Sequence, residues 1–418
     1  MALSRRTAIS SIVLVVLGAV VALAYWHQVH QKKPGQAEDS AAINVTSGED
    51  RGPGSLREAL FIAAAAHGEA TINVRVPKIT LMTALPPIVS SQGVQLIGVA
   101  ESGTEIDASG LAGGPVFDVA TANVAIEGMR IHNCKAAGVL LRAEHFRMEA
   151  SSIQSCDIGV DVAENAKEVL LERNRFTANR VGARFAASNR NTTLVKNEFS
   201  DNRDAGVWAV RAEPDRGGSA ISVRENRFTN ERVGILAANV SIAIERNEIL
   251  ASGEMAMQLM GTGAVARGNR VSGGEGMGIV AENSRGVVIE NNELDGLEAY
   301  GIMIKASADA LVRNNRVHNS GYGLAFVIGT SPSTAIENTI IEPKSNGIDV
   351  IGDSPVLRNN RVLRPRTLAF KAVDFEGGGQ RVQSRPFLEG NNFDARGIVI
   401  ADRGAAAEKP STVLSNDR

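Results

Sequence analysis

Leu171-Glu172-Arg173-Asn174-Arg175-Phe176 contains the unit that decides the fold of this chain, an asparagine followed two residues later by a hydrophobic side chain. The unit recurs at intervals of mostly 21 to 23 residues, at Asn174, Asn197, Asn226, Asn247, Asn269, Asn292, Asn315, Asn338, Asn360 and Asn391. A repeat of this length predicts a solenoid, in which each coil buries its apolar face only against its neighbours.

The repeat length alone fits both a leucine-rich repeat and a parallel β-helix. A second segment of the coils favours the β-helix, because it opens with glycine and an aliphatic residue, at Gly138-Val139, Gly159-Val160, Gly206-Val207, Gly234-Ile235, Gly278-Ile279, Gly301-Ile302 and Gly347-Ile348. Valine, isoleucine and glycine alternate there with polar residues, as in half-buried strands. The sequence therefore predicts an all-β, right-handed parallel β-helix solenoid with two or three strands per coil. The leucine-rich repeat is the alternative.

Two columns of this β-helix have predicted structural roles. The hydrophobic residue two positions after each asparagine is expected to point inward and to stack on its equivalent at the ~4.8 Å spacing of paired strands. The asparagine before it is expected to lie at a bend, to adopt a left-handed backbone and to pass side-chain hydrogen bonds between coils. The asparagine column is thus predicted to be structural and not catalytic.

Two outward columns beside the asparagines alternate in charge. The residue after each asparagine is, in order, Arg175, Glu198, Arg227, Glu248, Arg270, Glu293, Arg316, Thr339 and Arg361. The residue two before it is Glu172, Val195, Arg224, Glu245, Arg267, Glu290, Arg313, Ile336 and Arg358. Alternation places a carboxylate beside most of the arginines, so the columns predict a structural ladder that also fixes the register. Polyanion binding is the less favoured hypothesis, because the face carries nearly as many Glu as Arg.

Length and charge exclude some classes of protein. The chain has 418 residues and a continuous repeat, so one elongated β-helix domain is expected over residues 45–402, followed by a tail at 403–418. Lys and Arg number 44 and Asp and Glu 46, with no basic stripe, so nucleic acid is not an expected partner. Aromatic residues make up 4% of the chain, which leaves no long aromatic platform for sugars.

The N-terminus carries an export feature. Arg5 and Arg6 precede an apolar run from Ile12 to Tyr25. This pattern predicts a signal peptide or signal anchor over residues 1–27, followed by a polar linker over 28–44. Counted from Ala8 to Trp26, the run is near the length that spans a bilayer, so cleavage and membrane attachment through an uncleaved segment are both open. The expected location is the periplasm or the cell envelope.

A helix is predicted near residues 55–66. Ser55 and Glu58 have the spacing of a capping box, and Leu56, Leu60 and Ala63 lie on one apolar side. The open end of a solenoid exposes core and unpaired strand edges, so this helix is expected to cap the bottom coil.

The repeats, together with the cap Gly54-Ser55-Leu56-Arg57-Glu58-Ala59-Leu60, resemble the bacterial right-handed parallel β-helix proteins of the pectin-lyase-like superfamily. That superfamily includes polysaccharide lyases, glycoside hydrolases, alginate C5-epimerases and adhesins, so the resemblance implies the fold and leaves the activity open. The alginate epimerases carry Tyr-Gly followed closely by Asp-Pro-His-Asp. This chain has Tyr300-Gly301 and Tyr322-Gly323 but no Asp-Pro-His-Asp, which puts that activity in doubt. The two tyrosines are expected to stack as a surface pair.

The outward position two residues after each glycine carries the candidate site. Asp161, Arg184 and Trp208 fall there on three consecutive coils, about 4.8 Å apart, and an insertion just beyond Trp208 contains Arg211 and Arg216. We predict that Trp208 stacks on a sugar and that the arginines bind carboxylates of an acidic polysaccharide. Asp161 and Arg184 are the candidate catalytic residues of a lyase or C5-epimerase. The alternative is a structural Asp161–Arg184 ion pair with a cation-π contact to Trp208.

Further along this face the outward residues are apolar, namely Leu236, Met260, Val280, Met303, Ala325, Val327 and Ile351. A patch of that length needs a cover. Either the segment 366–390 and the tail fold back over it, or a protein partner docks there. The second functional hypothesis is therefore a noncatalytic scaffold or binding protein.

Cys134 and Cys156 occupy equivalent positions on adjacent coils, which predicts a disulfide, with buried free thiols as the alternative. Two cysteines without further ligands cannot hold zinc, so no metal site is predicted. No cofactor is expected. Calcium is left open through Asp349, Asp353 and Asp374, although their spacing is not diagnostic.

Overall fold

The computed structural model describes residues 41–401 apart from positions 101, 165, 187–190, 212–219, 330–331, 378 and 395–396. The predicted signal segment at 1–27, the linker up to residue 40 and the tail at 403–418 lie outside the described residues. Within the described part, no helix has the length and apolar character needed to cross a membrane.

Each coil crosses three parallel sheets in the order A, B, C before the chain returns to sheet A one coil further on. In the described residues sheet A has 15 strands: Ala41–Val45, Ala70–Val74, Val94–Ile97, Val124–Glu127, Phe146–Glu149, Val169–Glu172, Thr192–Val195, Ile221–Arg224, Ile242–Glu245, Ala264–Arg267, Val288–Glu290, Leu311–Arg313, Thr334–Ile336, Val356–Arg358 and Phe387–Glu389. Sheet B has 14 in the same residues: Lys78–Thr80, Thr104–Asp107, Met129–His132, Ser152–Gln154, Arg175–Thr177, Glu198–Ser200, Arg227–Thr229, Glu248–Ser252, Arg270–Gly274, Glu293–Asp295, Arg316–His318, Thr339–Ile341, Arg361–Leu363 and Asn392–Phe393.

Sheet C carries the candidate site. Among the described residues it has 13 strands: Phe117–Val119, Ala137–Leu141, Ile158–Val162, Val181–Phe185, Ala205–Val210, Val233–Ala238, Met255–Thr262, Met277–Arg285, Tyr300–Lys305, Tyr322–Val327, Ile348–Ile351, Phe370–Val373 and Ile398–Ala401. A short antiparallel hairpin pairs Phe375–Gly377 with Gln380–Val382. The predicted all-β, right-handed parallel β-helix is confirmed, and the leucine-rich alternative is wrong.

The interior is a continuous stack of apolar side chains. Phe176, Phe199 and Phe228 stack ring on ring, with centroid distances of 4.9 and 4.8 Å. These distances match the spacing of paired strands. The residues two positions after the ladder asparagines are buried throughout, so the predicted core column is confirmed.

The repeated asparagines form a buried ladder along the bend between sheets A and B. The side-chain oxygen of Asn292 accepts hydrogen bonds from the backbone and side-chain nitrogens of Asn269, at 2.9 and 3.0 Å. The side-chain nitrogen of Asn292 donates to the backbone carbonyl of Ala266 at 2.9 Å. The ladder thus satisfies polar groups that the bend would leave unpaired in the interior.

One detail predicted for this ladder is wrong, because the left-handed backbone belongs to the residue before each asparagine. The φ angles of Arg173, Lys196 and Glu225 are 53°, 56° and 57°. This left-handed residue makes the bend and turns the next side chain, the asparagine, toward the interior. The sequence does not indicate the bend position, since Arg, Lys and Glu occupy it as well as Gly and Asn.

The two charged columns have the predicted register. Arg175 is the strand partner of Glu198 and forms an ion pair with it at 2.7 Å. In the other column Glu290 is 2% exposed and pairs with both Arg267 and Arg313. Burial opposes ionisation of Glu290, but hydrogen bonds from these arginines hold the pKa of its carboxyl below its ordinary value.

The cap helix spans Leu56–Ala65. The hydroxyl of Ser55 accepts a hydrogen bond from the backbone nitrogen of Glu58 at 3.3 Å, and the Glu58 carboxylate accepts one from the backbone nitrogen of Gly54 at 2.6 Å. The first bond is that of a capping box, whereas Glu58 reaches the residue before the N-cap instead of Ser55 itself. The buried side of the helix packs on the first two strands of sheet A through Leu56, Ala59, Leu60 and Ala63.

A second, shorter ladder lies at the bend between sheets B and C and was not predicted from the sequence. Asn179 accepts a hydrogen bond from the backbone nitrogen of Cys156 at 3.0 Å, and Glu231 accepts one from the side chain of Asn202 at 2.9 Å. Glu231 is 1% exposed, and its Oε2, like the Oγ of Ser252 on the next coil, has no hydrogen-bond partner among the described residues. Burial raises the pKa of Glu231 to about 8.

Replacing Glu231 with glutamine is expected to stabilise the protein at pH 8 but not at pH 5. The folded state keeps this carboxyl protonated up to about pH 8, whereas the unfolded chain releases the proton near pH 4.5. The wild-type free energy of unfolding therefore falls as pH rises between these values. Glutamine keeps the acceptor for Asn202 and cannot ionise, so the gain at pH 8 is on the order of 1–3 kcal/mol.

Urea unfolding at pH 5 and pH 8 measures this effect. The control is Glu293→Gln, because Glu293 is an exposed carboxylate on sheet B. The same pH dependence in wild type and in Glu231→Gln would show that Glu231 is ionised in the folded protein.

Candidate functional site

The structure brings three of the predicted site residues together on the outer face of sheet C. Asp161, Arg184 and Trp208 are strand partners on three consecutive coils. With Glu164 and Val210 they line a cavity of about 370 Å³. A cavity that combines an aromatic ring with a few convergent polar groups on a rigid sheet is typical of a ligand site.

Asp161 and Arg184 form a two-point ion pair inside this cavity. The Nε of Arg184 donates to one carboxylate oxygen of Asp161 at 2.8 Å, and a terminal nitrogen donates to the other at 2.6 Å. The Asp161 side chain is 14% exposed and that of Arg184 is 42% exposed. The hydrogen bonds to Asp161 raise the pKa of the Arg184 guanidinium. Both carboxylate oxygens of Asp161 are engaged by Arg184, so the pair is better suited to binding than to proton abstraction.

Trp208 is held from both sides by apolar neighbours. It packs against two clusters of buried apolar residues, one containing Ile158 and Val181 and the other containing Val233 and Leu236. Its strand partners are Arg184 and Leu236. In the part of the chain that the structure describes, no cation-π contact joins Arg184 to Trp208. Asp161 and Arg184 therefore form a salt bridge next to the Trp208 ring, without the cation-π contact of the alternative hypothesis.

Of the two arginines of the insertion, the structure describes only Arg211. Arg211 directly follows the Trp208 strand, and its backbone is fixed by hydrogen bonds with Ala238 at 3.0 Å and with the Asn239 side chain at 3.1 Å. Arg216 lies outside the described residues. A role for either arginine in binding a carboxylate stays a prediction.

A third charged column borders the cavity and was missed in the sequence. It runs along the bend before sheet C, where Arg180 pairs with Asp157 at 2.6 Å and with Asp204 at 3.1 Å, and Arg232 pairs with Glu254 at 2.8 Å. Hydrogen bonds from Arg180 lower the pKa of Asp157. The signal was present, because Asp157, Arg180, Asp204 and Arg232 each lie two positions before a glycine, Glu254 lies two before Ala256, and the five alternate in charge.

The apolar residues beyond Trp208 lie in two adjacent outward columns of sheet C, as the register predicted, but Val280 and Ala325 are 1% and 0% exposed. The segment 366–390 does not fold back over them, and that part of the prediction is wrong. It continues the solenoid through Phe370–Val373 and Phe387–Glu389, and its hairpin places Phe375 and Val382 beside Gly352. The physical reason is that its strands complete another coil, which buries more backbone than a loose cover would.

The three aspartates considered for calcium have protein partners. Asp349 accepts a hydrogen bond from the Asn346 side chain at 2.8 Å, and Asp374 pairs with Arg381 at 2.8 Å. Asp353 accepts one from the backbone nitrogen of Ser354 at 2.7 Å. Among the described residues no three His, Cys, Asp or Glu side chains lie close enough together to hold a metal ion. Calcium binding stays a prediction.

Cys134 and Cys156 are joined by a disulfide, with their Cα atoms 4.3 Å apart. The two residues occupy equivalent positions of adjacent coils, so the bond closes one full coil of the solenoid. Whether the bond forms in the cell depends on the compartment, which stays a prediction.

Residues 88–214 and 216–362 match the model of the right-handed β-helix region. The chain belongs to the right-handed β-helix family. No curated protein sequence is significantly similar to this β-helix protein.

Solved structures resemble this right-handed β-helix protein at low identity. The tailspike protein double mutant of Escherichia coli bacteriophage HK620 is 11% identical over 86% of this chain and 81% of that chain, with a TM-score of 0.54. A PL6 family polysaccharide lyase from Pseudopedobacter saltans is 14% identical over 90% and 96%, with a TM-score of 0.48. The A-module of a mannuronan C-5 epimerase from Azotobacter vinelandii is 11% identical over 84% and 98%, with a TM-score of 0.47. At these identities the likeness is one of fold.

Proposed function

We propose that this β-helix protein binds an acidic polysaccharide, in the periplasm or elsewhere in the cell envelope, at the cavity formed by Asp161, Arg184 and Trp208. The observation that carries the proposal is this cavity of about 370 Å³, in which an indole ring lies beside a fixed guanidinium. The proposed location rests on the N-terminal apolar segment.

The chemistry of the cavity suits a sugar that carries a carboxylate. The apolar face of a sugar ring packs on Trp208, since an indole combines a large apolar surface with low conformational cost. Arg184 has five N–H donors, of which Asp161 takes two, and the other three have no partner among the described residues, so they can meet a uronate carboxylate. Because Asp161 fixes the guanidinium in place, little conformational entropy is lost on binding.

A lyase or C5-epimerase activity would extend this proposal and would use Asp161 as base and Arg184 as the cation that stabilises the enolate. The ion pair between them weighs against it, because Asp161 would have to leave Arg184 to accept a proton. Incubation with polygalacturonate, alginate and hyaluronan tests for activity. Unsaturated products absorb in the ultraviolet, and epimerisation changes the uronate signals in NMR spectra.

The second candidate function is a noncatalytic scaffold that docks a protein partner. The observation in its favour is the run of outward, partly exposed apolar residues beyond Trp208, including Met260, Met303 and Val327. Loss of a partner on replacing Met303, with polysaccharide binding unchanged, would favour this function over the first.

Replacing Trp208 with alanine is expected to weaken binding of the preferred uronate polymer by about tenfold or more, because the central aromatic anchor of a site carries much of the affinity. Titration calorimetry with alginate, polygalacturonate, hyaluronan and neutral dextran measures the effect. The control is Phe387→Ala, since Phe387 is an exposed aromatic residue on sheet A. Equal affinities of Trp208→Ala and wild type would place the binding site elsewhere, and equal binding of dextran would contradict the acidic specificity.

A further inference from the structure

Polar side chains lie on the outer face of sheet C several coils beyond the Trp208 cavity. Tyr300 and Tyr322 are strand partners whose rings stack with a centroid distance of 4.5 Å and an angle of 22° between the planes. In the neighbouring outward column Ala325 is followed by Asp349 and then Lys371. The predicted stacking of the two tyrosines is confirmed.

Among the described residues, hydrogen bonding holds only one of the two carboxylate oxygens of Asp349. The Asn346 side chain donates a hydrogen bond to its Oδ1 at 2.8 Å, and Asn346 is itself fixed by the hydroxyl of Thr367 at 2.6 Å. The carboxyl is 4% exposed, although its position in the strand faces outward. Among the described residues its second oxygen has no hydrogen-bond partner, and the hydroxyls of the two tyrosines have none either.

Burial raises the pKa of Asp349. Burial also raises the pKa of Tyr300, and electrostatic interactions with Asp349 and Tyr322 raise it further. A phenol donates and accepts hydrogen bonds, and the second oxygen of Asp349 accepts them. A sugar hydroxyl can donate to both kinds of group, whereas a carboxylate ligand only accepts. Groups of this kind therefore favour hydroxyls, which can donate to the Asp349 carboxyl, over carboxylates, which cannot.

We propose that Tyr300, Tyr322 and Asp349 form a second saccharide subsite, which binds uncharged hydroxyl groups of the same polysaccharide chain that occupies the cavity at Trp208. The proposal rests on the proposed function and adds to it a direction and a minimum length for the ligand. The chain would run along sheet C, across the strands and parallel to the solenoid axis.

The strand register gives the span between the two subsites. Trp208 is followed in its column by Leu236, Gln258, Val280 and Met303, and Met303 belongs to the strand that Tyr300 begins. Four pairings at ~4.8 Å separate the coils of Trp208 and Tyr300 by about 19 Å. A disaccharide is too short to bridge this distance, whereas a polymer bridges it and gains affinity from both contacts.

The test compares polymer and disaccharide on the full chain. The probes are polygalacturonate with digalacturonate and alginate with its disaccharide, and the variants are the double variant Tyr300→Phe, Tyr322→Phe and the single variant Asp349→Asn. The phenylalanines keep the stacked rings and remove only the hydroxyls. Asparagine keeps the size of Asp349. Thermal midpoints equal to wild type establish that each variant is folded.

We expect each variant to bind the polymer about tenfold more weakly than wild type and to bind the disaccharide with wild-type affinity. Unchanged polymer affinity in both variants overturns the second subsite, and the proposed function stands if Trp208→Ala still weakens binding. A wild-type protein that binds disaccharide and polymer with the same affinity also overturns it. If Trp208→Ala weakens the binding of neither polymer, the proposed function is contradicted, and the second subsite is contradicted with it.

Discussion

Replacing Asn292 with alanine is expected to lower the free energy of unfolding by about 3–5 kcal/mol, the largest effect of a single substitution in this account. Asn292 is 2% exposed and lies in the middle of the ladder. Its loss leaves the backbone nitrogen of Asn269 and the carbonyl of Ala266 without partners, and it removes a hydrogen bond of 2.9 Å to Asn315. Each buried group left unpaired costs about 1–3 kcal/mol.

Urea unfolding followed by circular dichroism measures the loss, and Glu293→Ala, on the exposed neighbour, is the control. Asn292→Asp separates hydrogen bonding from packing, because aspartate keeps the size and the acceptor but removes the donor to Ala266. It should destabilise the protein at least as much as alanine at pH 7. A loss below about 1 kcal/mol for alanine would mean that the ladder contributes little and that the apolar stack alone fixes the coils.

Reducing the disulfide is expected to lower the free energy of unfolding by about 3 kcal/mol in the loop-entropy model, because Cys134 and Cys156 are separated by 22 residues and close one coil in the unfolded chain. Unfolding with and without reductant measures this difference. The double variant Cys134→Ala, Cys156→Ala should unfold like the reduced wild type and should not respond to reductant.

The same bond tests the compartment. Mass spectrometry of protein taken from the native envelope, with free thiols blocked before extraction, is expected to find neither cysteine alkylated. Two alkylated cysteines would contradict an oxidising location, and the export of the domain with it.

The sequence was sufficient for the fold because the solenoid repeats one physical unit. Each Asn and the hydrophobic residue two positions later occupy the same environment on every coil, so their spacing sets the register and the core, as Asn174 with Phe176 shows. The second ladder was not predicted from the sequence because its positions hold different residue types. Cys156, Asn179 and Glu231 share one stack but no common residue type.

The sequence predicted which residues of the site are neighbours, but it did not predict the contacts between their side chains. The register placed Asp161, Arg184 and Trp208 side by side, since strands of equal spacing stack in order. The two-point contact between Asp161 and Arg184 depends on side-chain rotamers, which no spacing encodes. The burial of Asp349, which is 4% exposed at an outward strand position, likewise depends on the packing of several coils and cannot be predicted from the repeat.

The most direct measurement of the proposed function is a crystal structure of the protein soaked with a uronate oligosaccharide long enough to cross several coils. The account predicts a sugar ring packed on the Trp208 indole, with its carboxylate within hydrogen-bond distance of Arg184 and the chain running along sheet C toward Tyr300. An oligosaccharide bound with full occupancy on sheet A or sheet B, and none at Trp208, would contradict it.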